Sequence, residues 1–288
     1  MLEHLARRAI TGVELVEGGC YRRTVRCGDA AGTIKVAPAT GRDGLEITLD
    51  ISDPRALPLV ERQIQHLCGL KTDITPITLR LAAADPLLAR LIAQRPGLRV
   101  PGGWDAFELA IRAVLGQQIT LEAARRLAGK LVTTFGTRLE LCAQSDSRLS
   151  HLFPTPAQLA IADISVLGMP RARAKTLSAL ATAVLDDPNL LCPAESLEIS
   201  LTRLRAVPGI GDWTAQYIAL RALGEPDAFP ASDVALLRAF QDSQGHRPTS
   251  VTLLARAEIW RPWRAYAAQL LWTAGVGGAL AASGETCT

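Results

Sequence analysis

The sequence predicts an α+β domain at the N-terminus followed by an all-α bundle. Three observations carry that reading. Residues 12–51 hold four stretches rich in β-branched residues, often in alternation and separated by turns. A single amphipathic helix follows at 53–70. From residue 84 onward the apolar spacing is helical, punctuated by Pro and Gly, and no strand pattern recurs.

In order, "GVELVE", "CYRRTVRC", "GTIKVAP" and "DGLEITLDI" read as the strands of a small antiparallel sheet, joined by turns such as "GDAAG" and "ATGRDG". In "DPRALPLVERQIQHLCGL", Leu57, Val60, Ile64, Leu67 and Leu70 recur at helical spacing, with Asp53 as N-cap and Pro54 at the first helical position. This first domain spans 1–82 and the helical region 83–288. Helices are expected at 85–94, 104–117, 119–135, 156–162, 171–186, 201–206, 212–223, 233–243, 249–258 and 262–275. They form subdomains of roughly 102–224 and of 83–101 plus 225–288, with a cleft expected between them.

Composition sets the bounds. A chain of 288 residues, 48% hydrophobic and 20% charged, can bury one large core or two smaller ones. No apolar run reaches the roughly 18 residues that span a bilayer, and the N-terminus lacks the pattern of a cleaved signal, so a cytoplasmic protein is expected. Cys20, Cys27, Cys68, Cys142, Cys192 and Cys287 show no CxxC and no Cys/His cluster, which reads as reduced thiols without a zinc or iron-sulfur site. A net charge of +3 is too small to argue for nucleic acid, so that case must rest on local placement.

The informative stretch is "AVPGIGDWTAQYIALRALGEPDAFPASDVALLRAF" (206–240). Gly209 and Gly211 permit backbone conformations closed to other residues and let another backbone approach. Amides at the start of the following helix are unpaired and sit at its positive end, so the turn can hold a phosphate without a Lys or Arg. A bare GxG would most often be a plain connector, but the longer string L-x-x-V-P-G-I-G-x-W-T-A is far more specific.

That string resembles the helix-hairpin-helix superfamily of base-excision DNA glycosylases, whose hairpin precedes a proline loop and an aspartate, here Asp233 in "FPASDVALLRAF". "RPGLRVPGGWDAFELAIRAVLGQQIT", "FPTPAQLA", "LGMPRARAKTL" and "RPWRAYAAQLLW" look like the alkyl-base (3-methyladenine) branch, and the first 80 residues fit that branch's TBP-like N-terminal domain. The branch usually carries a further aromatic-rich segment ahead of "MLEHLARRAI", so an unusual start or a fragment of a longer, fused protein is expected.

The resemblance implies a bacterial, nucleoid-associated monomer that works on double-stranded DNA containing damaged bases, with no membrane and no cofactor; a monovalent cation at the 207–211 hairpin is compatible with it. Asp233 would stabilise the oxocarbenium-like transition state and orient the attacking water, while also serving as an N-cap. Trp213, Trp272, Tyr217 and Trp104 would line the pocket for an extruded base, whose positive charge after alkylation suits electron-rich rings. Trp213 stands at the second residue after the last hairpin Gly, where strand-cleaving relatives carry a Schiff-base Lys, so base release without strand cleavage is implied. Gln118 matches the wedge that fills the gap left by the base. Pro208, Gly209, Ile210, Gly211 and Thr214 would bind phosphate, with Arg171, Arg173 and Lys175 as further phosphate contacts. The alternatives are a non-catalytic hairpin module that only binds DNA backbone, and a glycosylase for other damaged bases.

Overall fold

The computed structural model describes residues 1–139 and 146–276. In chain order the elements are α1 (Leu2–Ala6), β1 (Glu14–Glu17), β2 (Cys20–Cys27), β3 (Ala30–Pro38), β4 (Leu45–Ile51), α2 (Leu57–Leu67), α3 (Thr75–Ala84), α4 (Pro86–Gln94), α5 (Ala106–Leu115), α6 (Leu121–Phe135), β5 (Thr137–Arg138) and β6 (His151–Leu152). The remainder is helical: α7 (Pro156–Ile161), α8 (Arg171–Asp186), α9 (Leu197–Arg205), α10 (Asp212–Ile218), α11 (Val234–Ala239), α12 (Ser250–Ala257) and α13 (Arg264–Val276). The α+β domain and the helical region that follows are therefore both present. The chain separates into two compact units: Met1–Gln65 with Gly103–Leu191 and Ala206–Ile210, and His66–Gly102 with Cys192–Arg205 and Gly211–Thr288.

In the first unit the sheet runs in the order β1-β2-β3-β4, every pair antiparallel. Its inward face buries Tyr21, Val25, Ile34 and Val36, as alternation requires. Arg23 is also buried, at 2% exposure, and it stands opposite Glu14 in the register. Its Nη2 donates to Glu108 Oε2 of α5 at 2.6 Å. Arg112, one turn along α5, bridges Glu108 at 2.8 Å and Glu14 at 2.9 Å, and Tyr21 donates its hydroxyl to Glu14 at 2.7 Å. Burial pushes the Glu14 carboxyl up, but Arg112 and Arg23 more than offset it and leave it below the usual range.

Among the described residues of the second unit, the regular elements are all helices. Asp85 caps α4 by accepting from the Leu87 amide at 2.9 Å, and it also accepts from Arg256 and from the buried Trp260 indole, each at 3.1 Å. Phe229 and Trp260 meet edge to face, 5.8 Å between centroids. After α10 the helix widens into a π-turn over Ala219–Leu223 and stops at Gly224, which takes the left-handed conformation with φ 73°.

Several elements differ from the sequence expectation. The short pair β5 and β6 lies in the stretch read as purely helical; each strand has two residues, too few to leave a periodic signal. Helix α3 was not expected, and the helix anticipated at 233–243 closes at Ala239. Cys20, Cys27, Cys68 and Cys192 are free thiols, while Cys142 and Cys287 lie outside the described residues. No helix among the described residues is long and apolar enough to cross a membrane.

Candidate active site

The second unit gathers four of the expected residues. Trp213 and Tyr217 stand one turn apart on α10 and stack with centroids 5.3 Å apart and planes 16° from parallel. Trp272 of α13 meets Tyr217 edge-on at 6.1 Å. Asp233 follows the proline loop, whose course is set by Gln216 of α10: its side-chain oxygen accepts from the Phe229 amide at 2.9 Å. Phe229 is 1% exposed and anchors the loop in the core.

The Asp233 carboxylate is held from several sides. Oδ1 accepts from the amides of Ala235 and Leu236 at 3.0 and 3.1 Å, which makes Asp233 the N-cap of α11. Oδ1 also accepts from the Trp272 indole at 2.9 Å, and Oδ2 accepts from the Trp213 indole at 3.0 Å. The two pocket aromatics thus fix the acid through their N–H groups, while one face of the Trp213 ring is taken by Tyr217 and the Arg221 guanidinium lies over the Trp272 ring. A carboxylate offers about four lone-pair directions. Three donors crowd Oδ1, whereas Oδ2 accepts from Trp213 alone among the described residues, so Oδ2 is the oxygen with room for a cation or a water.

Sequence reasoning missed Arg221. It is 2% exposed and donates to the Pro101 carbonyl at 2.9 Å and to Gln269 Oε1 at 2.7 Å. Its guanidinium lies 5.0 Å from the Trp272 ring centroid and 5.9 Å from that of Tyr217. A fixed cation therefore backs the aromatic cluster. The spacing of Arg221 hints at the place, since 213, 217 and 221 are four residues apart, but nothing local in the sequence signals that the charge is buried.

The first unit holds Pro208, Gly209, Ile210, Gln118, Arg171, Arg173, Lys175 and Trp104, while Gly211 and Thr214 fall in the second. Ile210 donates its amide to the Val207 carbonyl at 3.1 Å and closes the glycine turn. Gly209 has φ +87°, and a Cβ there would lie 1.9 Å from Thr176 Oγ1 of α8, so glycine is required on two counts. Gln118 is exposed, and its φ of 57° makes it the one non-glycine residue with a left-handed backbone among those described. That conformation costs about 1–2 kcal/mol for an ordinary residue. Arg171 and Lys175 are exposed on α8, while the Arg173 guanidinium donates to the Gln117 carbonyl.

Three expectations are corrected. Trp104, grouped with the pocket aromatics, is a core side chain of the first unit: it is 7% exposed and one ring face is covered by the Arg23 guanidinium, 4.7 Å from the centroid. Gly211 needs no special backbone, with φ −84° and nothing within 4 Å of an added Cβ. Thr214, expected among the phosphate contacts, is 3% exposed, so its side chain is buried in the second unit and not presented at the surface.

The chain matches the AlkA N-terminal domain over residues 1–105 and the HhH-GPD superfamily base excision DNA repair protein over 111–265. It is 38% identical to the probable bifunctional transcriptional activator/DNA repair enzyme AlkA of Mycobacterium tuberculosis over 94% of its own length, and it spans 53%, about half, of that relative. It is 34% identical to DNA-3-methyladenine glycosylase 2 of Escherichia coli, covering 94% of this chain and 92% of that one. Among solved structures, the 3-methyladenine DNA-glycosylase from Archaeoglobus fulgidus has the same fold, with a TM-score of 0.78 at 23% identity, covering 96% of this chain and 92% of that one. These matches establish that the chain, in which Asp233 caps a helix behind the glycine hairpin, belongs to the HhH-GPD superfamily of base excision DNA repair proteins.

Proposed function

We propose that the protein is a monofunctional DNA glycosylase that extrudes alkylated bases such as 3-methyladenine and 7-methylguanine and hydrolyses their N-glycosidic bond. The observation that carries this reading is the Asp233 carboxylate, oriented by the indole N–H groups of two aromatic residues. In the proposed reaction the bond between sugar and base breaks, and the base departs with the electron pair. Positive charge develops on the sugar, where a fixed carboxylate stabilises it without reorganising. Water then attacks the anomeric carbon and its proton passes to Oδ2 or to solvent, leaving an intact abasic site. An N3- or N7-alkylated purine is cationic, which makes it a better leaving group and suits the faces of Trp213, Tyr217 and Trp272. Trp213 stands where an amine nucleophile would be needed for strand cleavage, so water is the nucleophile. The glycine turn and the exposed Arg171 and Lys175 supply phosphate contacts, and Gln118 fills the emptied stack.

Asp233→Asn tests the reading. Single-turnover release of free bases from methylated DNA should fall by about 100-fold or more. Binding to duplex carrying an abasic-site analogue should persist, and the product strand should stay unbroken until treated with alkali. Unchanged base release would overturn the catalytic assignment.

A further inference from the structure

We infer that Arg173 and Gln117 are positioning residues that hold Gln118 in its left-handed backbone and tie it to the glycine turn, so that the wedge stands ready before DNA is bound. The inference rests on the glycosylase reading above.

Gln118 sits in the short loop between α5 and α6, flanked by Gly116 as the C-cap of α5 and Thr120 as the N-cap of α6. A left-handed, non-glycine residue in an exposed loop persists only where its surroundings over-determine it. Here they do. The Gln117 carbonyl accepts from the Arg173 guanidinium, and the Gln117 amide nitrogen donates to the Val114 carbonyl at 3.2 Å. The Gln117 carbonyl shares a peptide plane with the Gln118 amide nitrogen, and φ of Gln118 is the rotation measured from that plane. Pinning the oxygen with a donor that is always charged fixes that plane, and the Thr120-capped start of α6 sets the other side of the torsion.

The Gln117 side chain makes the second tie, its Nε2 donating to the Gly209 carbonyl at 3.1 Å. Helix α8 serves both ends of this arrangement. Arg173 in its first turn holds the loop, and Thr176, one turn on, fills the space under Gly209 that any side chain there would need. The wedge loop and the Gly209 end of the turn thereby rest against the same helix, α8.

The test uses Arg173→Met, with the same lesion either paired in duplex or placed opposite an abasic-site analogue. A paired lesion needs the wedge for extrusion; an unpaired one needs it far less. Single-turnover release from the paired substrate should fall about tenfold, and from the unpaired one less than about twofold. The dependence of log affinity on log salt should keep its slope, because the Arg173 guanidinium, expected from the sequence to meet phosphate, is committed to the Gln117 carbonyl instead. Gln118→Asn added to Arg173→Met should recover most of the rate, since Asn keeps an amide and adopts the left-handed region readily. Gln117→Met, which keeps volume and removes the tie to Gly209, should reproduce the same split between substrates if Arg173→Met fails to fold. Equal losses on both substrates, a flatter salt slope, or no loss would overturn the inference. If the unmodified protein releases no base from either substrate, the glycosylase reading itself fails.

Discussion

Asp233 accepts from four donors, and their uneven division between its oxygens ranks the two indoles. Trp213→Phe keeps a ring for stacking but removes the only donor to Oδ2 among the described residues, freeing the oxygen that would face the developing charge. Trp272→Phe removes one of three donors to Oδ1, and the amides of Ala235 and Leu236 still hold that oxygen. We expect kcat to drop about tenfold in Trp213→Phe and only about two- to threefold in Trp272→Phe, with KM nearly unchanged in both. Equal losses, or the reverse order, would show that stacking and not acid orientation dominates. Much of this site was legible in the sequence, because Trp213, Tyr217 and Asp233 lie within one stretch of 21 residues whose turn chemistry is distinctive. Arg221 was not, since a charged residue on a short helix reads as solvated. What keeps it buried is Gln269, 48 positions away, and a backbone carbonyl 120 positions away, pairings that no local pattern encodes.

At the scale of elements, the glycine turn separates two glycines that look equivalent in "PGIG". Gly209 combines a left-handed φ with a side chain of α8 directly against its Cα, whereas Gly211 is extended and open. Gly209→Ala should therefore cost about 2–3 kcal/mol of stability by urea denaturation, and Thr176→Ala should restore only the steric part of it. Gly211→Ala should leave stability within about 0.5 kcal/mol, so any loss of DNA affinity it causes reports on backbone approach alone. A destabilised Gly211→Ala would contradict that separation. The four sheet strands and most helices were legible because their periods are clean and Asp or Thr caps mark their starts, as Asp53, Thr120, Thr155 and Thr249 do. Helix α3 escaped notice for the opposite reason: "TPITLRLAAA" buries only Ile77 and Leu81, so its amphipathic signal is weak.

Across the whole chain, a buried cluster of charges links the sheet domain at the N-terminus to α5 within one unit. Arg23 and Glu108 are 85 residues apart in sequence, which is why the sequence reading closed the first domain without them. Both are nearly excluded from solvent, and together with Glu14 and Arg112 they balance two carboxylates against two guanidiniums. Arg23→Met would leave Glu14 and Glu108 with Arg112 alone, an uncompensated buried charge that costs about 3–5 kcal/mol at neutral pH. The pH dependence provides the sharper check. In the unmodified protein the folded Glu14 carboxyl titrates below its unfolded value, so its contribution is complete above about pH 5 and is lost as the pH falls through the folded value. In Arg23→Met the burial that already opposes ionisation meets less cation, so one carboxyl should titrate above its unfolded value and be bound more tightly by the fold when protonated. Stability of the variant should then rise as the pH is lowered from 7 towards 5, whereas that of the unmodified protein should hold level or fall. Urea denaturation across that range measures both slopes, and parallel curves would mean that this cluster is not what couples sheet to helix.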